Sequence, residues 1–66
     1  MEIIVNGDVQ SLEKTLTIAD FLQEKGIDPG TVIIEHNQEI VKGSDYAETM
    51  LNNKDHIEIL RFVGGG

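Results

Sequence analysis

Few residues in this chain are of a type that does chemistry: the imidazoles of His36 and His56, the hydroxyls of Ser11 and Ser44, the carboxylates of Asp45 and Glu48, and the glycine run Gly64, Gly65, Gly66 with the carboxylate at its end. A transition-metal site needs three or four nitrogen or sulfur ligands, and with no cysteine the two histidines have nothing to complete the set. They read as surface or edge residues. Asp45 and Glu48 lack the alternating oxygen ligands of a calcium loop and read as a solvated face. Neither serine has the base, the orienting group or the strand-to-helix elbow that activates a nucleophile. A phosphate-cradling loop enters a helix, whereas the glycine run here is terminal. The expectation is a protein with no catalytic residue and no metal site.

The glycine run has a plain account, a frayed chain end, because glycine loses the most freedom on ordering and termini are commonly loose. It also has a chemical one. An α-carboxylate is ionised at neutral pH and can attack a phosphoryl centre if another protein supplies ATP and screens the charge. Three extended glycines reach roughly 10 Å, enough to pass a terminus into a partner's site, and with no Cβ they fit a narrow channel.

Composition limits the partners. Sixty-six residues make one domain, and twelve Asp and Glu against five Lys and Arg give a net charge of -7, which argues against nucleic acid and anionic membranes and for a basic partner face. Met1 leads straight into an apolar run with no basic segment before it, and no stretch is long enough to span a bilayer, so the expected compartment is the cytoplasm.

The elements that must position the tail are legible from pattern. "MEIIVNGDVQSL" predicts a hairpin, with Met1, Ile3 and Val5 on one face, Asn6 and Gly7 supplying the turn, and Val9 and Leu12 returning. "TIADFLQEKG" predicts a helix with Thr17 as N-cap, Gly26 as the left-handed stop, and Ile18, Phe21 and Leu22 as one apolar stripe. "DPG" predicts a turn in which Pro29 fixes φ and Gly30 takes a left-handed conformation. "TVIIEHN" and "EIV" predict two strands joined through Asn37 and Gln38, with Val32, Ile34 and His36 on one face. The stretch from Lys42 to Asp55 is the least periodic, pinned to the core by Tyr46, Met50 and Leu51. "HIEILRFV" predicts a last strand with Ile57 and Ile59 on one face.

Two opening strands can meet a parallel neighbour only across a helical connection. The expected fold is therefore α+β, a β-grasp (ubiquitin-like) arrangement. It has a mixed four- to five-stranded sheet with one main helix packed on one face, and the last strand lies centrally beside the first. Residues 1–63 would form the single domain and residues 64–66 a flexible tail.

Over essentially its whole length the chain resembles the ThiS-type sulfur carrier proteins of thiamin biosynthesis. The resemblance rests on "MEIIVNG", "TIADFL", "VIIEHNQEIV" and above all "SDYAETMLNNKDHIEILRFVGGG". It implies a carrier and not an enzyme. A ThiF-type adenylating enzyme would use ATP and magnesium, neither bound by the carrier itself, to adenylate Gly66, with Gly65 and Gly64 entering the partner site. Sulfur from a cysteine desulfurase or another donor would displace AMP to leave a thiocarboxylate for a ThiG-type thiazole synthase. Leu60, Phe62 and Val63 are the candidate docking patch. The sequence departs from the family pattern at Lys54 and Gln38, where glycine is frequent, at Tyr46, often tryptophan, and at Lys42, often proline.

Three other readings share the tail or explain it away. A molybdopterin synthase small subunit and a ubiquitin-like protein modifier use the same terminal chemistry. A noncatalytic binding module would carry the glycines only as a loose end.

Overall fold

Alternation and turn chemistry together dictate most of what is seen in a computed structural model, which describes residues 1–61. Strand β1 (Glu2–Val5) turns through Asn6 and Gly7 into β2 (Asp8–Ser11), and both turn residues have positive φ, +49° and +88°. Two successive left-handed residues give the turn whose twist matches that of the flanking strands. The two-residue strand β3 (Leu16–Thr17) runs directly into helix α1 (Ile18–Glu24). Thr17 caps it by accepting from the Asp20 amide at 3.0 Å, and Gly26 ends it at φ +71°. A helix of seven residues is marginal alone and persists because Ile18, Phe21 and Leu22 are buried.

Strand β4 (Val32–His36) and β5 (Glu39–Val41) form the second hairpin, β6 (Met50–Leu51) follows a 3-10 turn at Gly43–Asp45, and β7 (His56–Arg61) closes the order. The main sheet runs β2-β1-β7-β4-β5, with β7 parallel to β1 and antiparallel to β4. It is the expected mixed sheet holding one helix, with the last strand at its centre. Strands β3 and β6 pair separately as a two-stranded sheet, which pattern alone did not reveal.

The core lies between the helix and one sheet face. Ile3, Ile34 and Ile57 from the sheet meet Phe21 and Leu22 from α1, each 1% exposed or less. Leu16, Leu51 and Tyr46 are buried in the same cluster.

Two expectations need correction. Met50 does not pin the loop to the core, for it is 44% exposed. Its neighbour Leu51 takes the inward position, and successive residues of a strand point to opposite faces. Gly30 does not take a left-handed conformation; Gly7 and Gly26 are the positive-φ glycines among the described residues. The Asp28 side chain accepts from the Gly30 amide at 2.9 Å and starts a 3-10 turn at Pro29–Thr31, which needs only ordinary negative φ. Left-handed backbone falls instead on Asn37, Gln38 and Lys54, at +52°, +75° and +72°.

Candidate functional site

Strand β7 leads directly to the tail, so the site is built along it. Of the sequence-predicted site residues the structure describes Leu60; Phe62, Val63, Gly64, Gly65 and Gly66 lie outside the described residues. Leu60 stands opposite Ile33 on the sheet face away from the helix and is 45% exposed. The registers put Ile4, Val9 and Ile40 on that same outer face, Val9 and Ile40 well exposed. In its middle Glu35 and Glu58 are directly opposed across β4 and β7. Like charges placed so oppose pairing, and a cation set between them relieves the repulsion. The hollow there, about 440 Å³, is lined by Glu35, Glu58, His56, Asn37 and Gln38. Chemically the surface is apolar with an acidic centre, complementary to a face that is apolar with basic groups.

The start of β7 is held by a polar cluster. His36 Nε2 lies 2.7 Å from Asp55 Oδ2, the Asn37 amide donates to Asp55 Oδ1 at 3.1 Å, and the Asn52 backbone amide donates to Oδ2 at 2.7 Å. Asn37 Oδ1 in turn accepts from the His56 amide at 2.9 Å. Burial by itself would raise the Asp55 carboxyl, but the hydrogen bonds from His36, Asn52 and Asn37 outweigh it and hold the group below the usual carboxylate range. His36 is thus half-buried with a carboxylate partner, which refines its reading as a plain edge residue, while His56 is exposed.

The exit of β7 is built differently. Backbone pairing with β1 covers only Ile4 with His56 and Val5 with Ile57, and Asn6 adds a bond from its own amide to Ile57 O at 2.9 Å. The Asn6 side chain then accepts from the Ile59 amide at 2.7 Å and reaches Ile59 O with its Nδ2 at 3.4 Å. Beside it opens a cleft of about 280 Å³, lined among others by Asn6, Lys25, Ile59 and Arg61. Lys25 Nζ there sits 5.4 Å from the centroid of the Phe21 ring.

The remaining candidates stay apart from β7. Ser11 is exposed on edge strand β2 and Ser44 lies in the 3-10 turn. The Asp45 carbonyl accepts from the Glu48 amide and the Thr49 hydroxyl, a turn and not a ligand loop. No three His, Asp or Glu among the described residues are placed to hold a metal ion, and no helix is long and apolar enough to cross a membrane.

Sequence reasoning missed the Asp55 cluster and the second use of Asn6. Both join residues far apart in the chain, 18 to 53 positions, and only the Asn-rich turns hinted at them. An asparagine at a left-handed turn position has a carboxamide to spare, which is the one signal that was there.

The ThiS family model matches residues 3–66. The chain is 43% identical over 63 residues to the sulfur carrier protein ThiS of Bacillus subtilis, covering 94% of this chain and 96% of that one. It is 38% identical over 66 residues to a thiazole synthase of Paramagnetospirillum magneticum, of which it spans only 20% of the length. The crystal structure of a thiamine biosynthesis protein (ThiS) from Geobacter metallireducens superposes with a TM-score of 0.88 at 26% identity, each chain fully covered.

Proposed function

Because the chain belongs to the ThiS family, we propose that it is the sulfur carrier of thiazole formation in thiamin biosynthesis, a co-substrate and not an enzyme. The observation that carries this reading is the family match, which continues through the glycine run to Gly66. The Gly66 carboxylate attacks the α-phosphorus of ATP in a ThiF-type enzyme that holds the nucleotide and magnesium, and pyrophosphate leaves. A persulfide from a cysteine desulfurase or another donor then attacks the acyl carbon and AMP leaves as the C–O bond breaks; a thiol reduces the resulting acyl disulfide, forming its own disulfide and releasing the C-terminal thiocarboxylate. Adenylation is needed because a carboxylate oxygen is a poor leaving group until it is esterified to phosphate.

Gly64 and Gly65 form the narrow stem that enters each partner. Leu60, with Phe62 and Val63, docks the body beside it, and the acidic centre at Glu35 and Glu58 meets basic groups of the partner. Thiazole synthase is the recipient, a reading supported by the protein of that name one fifth of which resembles this chain. The cytoplasm, where ATP and the activating enzyme meet, is the compartment this chemistry calls for.

Incubation with ATP, magnesium and a ThiF-type enzyme, followed by intact-mass measurement, tests the reading. The expected product carries AMP and, with a sulfur donor, one oxygen exchanged for sulfur, both on the C-terminal peptide. An unmodified chain, or modification that survives deletion of Gly66, sinks it. Leu60→Asp should raise KM for the activating enzyme by roughly tenfold while leaving the fold intact, since one well-packed apolar contact at an interface is worth about 1–2 kcal/mol.

A further inference from the structure

Strand β1 turns away at Asn6 and Gly7, so from Ile59 onward β7 has no backbone neighbour on the β1 side among the described residues. On the other side β4 accompanies it to the Val32 and Arg61 pair. The Asn6 carboxamide fills the missing place once: Oδ1 takes the Ile59 N–H at 2.7 Å and Nδ2 faces the Ile59 carbonyl at 3.4 Å, the two positions that two successive bonding residues of a continued parallel strand would have filled. We propose that Asn6 is a positioning residue for the transfer chemistry, holding β7 at Ile59 so that the end of the strand at Leu60 and Arg61 keeps a fixed direction relative to the docked body. The inference rests on the reading that Gly66 is the reacting end.

The turn favours asparagine here, since it tolerates φ +49° and loses less freedom on ordering than glycine, but the turn makes no use of the two contacts to Ile59. Asparagine meets both demands at once, tolerating left-handed backbone while offering an acceptor and a donor on one side chain. Without it the anchor on the β1 side retreats from Ile59 to Ile57, two residues or roughly 7 Å of strand. A body docked through Leu60 would then present its tail over a wider range of directions, and the loss falls on the reacting complex more than on docking.

Two variants separate this from a fold effect. Asn6→Gly keeps the turn and removes the bonds, and Asn6→Asp keeps the acceptor for the Ile59 amide. On the isolated 66-residue chain, 15N relaxation should show the Leu60 and Arg61 amides more mobile in Asn6→Gly and near wild type in Asn6→Asp. In adenylation by a ThiF-type enzyme, Asn6→Gly should lower kcat by about 3–10-fold with KM within about twofold, and Asn6→Asp should recover most of it. A purely structural role would lower the folded fraction, raise the apparent KM and leave kcat unchanged. Unchanged amide mobility at Leu60 and Arg61 in Asn6→Gly, or an unchanged kcat, overturns the proposal. If the wild-type chain is not adenylated at all, that failure belongs to the sulfur-carrier reading, and the relaxation result alone decides the role of Asn6.

Discussion

At its start β7 is bonded by Asn37 and at its exit by Asn6. Each is the first residue of a two-residue turn, each has left-handed φ, and each offers Oδ1 to a β7 amide, at 2.9 Å from His56 and 2.7 Å from Ile59. The difference lies behind them. Asn37 is itself held by Asp55, which also bonds His36 and the Asn52 amide, so the start of the strand is tied to two neighbouring segments, the β4–β5 turn and the turn after β6. Asn6 has no such support among the described contacts. The same device, used with and without a second layer, gives a strand whose start is fixed by a network and whose exit is steered by one side chain.

Removing Asp55 attacks the firm end and should have the largest effect. Asp55→Ala deletes three hydrogen bonds to one carboxylate, and urea unfolding should show a loss of about 2–3 kcal/mol. Acid should undo the same contacts without mutation. Because the Asp55 carboxyl is held below its ordinary value, its stabilisation is complete above the unfolded value near 3.9 and disappears as pH falls through the lower folded value. The stability difference between wild type and Asp55→Asn should therefore shrink as pH falls below about 4; a constant difference would show that the carboxylate is not what ties the start of β7.

Asn6→Gly, at the lightly held end, should cost only about 1 kcal/mol in the same urea measurement. A loss equal to that of Asp55→Ala would erase the asymmetry. The smallest effects belong to the turns that carry strain for no visible bond. Lys54→Gly and Gln38→Gly each place the residue most at ease with positive φ where a side chain now stands, and each should raise stability by about 0.5 kcal/mol. A decrease in either would mean that the side chain contributes a contact the backbone angle conceals.

Much of the fold was legible because its signals are local. Alternation assigned Ile57 and Ile59 to one face of β7, Asn6-Gly7 announced its turn, and Thr17 and Gly26 bracketed α1. What sequence could not convey was pairing between distant segments with weak patterns, such as Leu16 with Leu51, or a side chain doing two jobs, as Asn6 does. Gly30 and Met50 depart from expectation for a local reason instead. A carboxylate two residues away relaxed the turn at Gly30, and Leu51 claimed the inward place that Met50's hydrophobicity had implied. Of the candidate site, the described residue Leu60 proves to be 45% exposed on the outer face of a central strand, and its acidic neighbours became meaningful only once β4 and β7 were seen in register.

Glu35 and Glu58 also bear on how two copies of the molecule could meet. The outer face carries Val9, Ile33, Ile40 and Leu60, and such a surface would otherwise invite two copies to stack sheet against sheet. Stacked so, they would bring four carboxylates together in a space emptied of water, a repulsion that grows as the dielectric falls. The two residues thus oppose such stacking, and high salt, which screens them, is the condition under which the chain should first begin to self-associate.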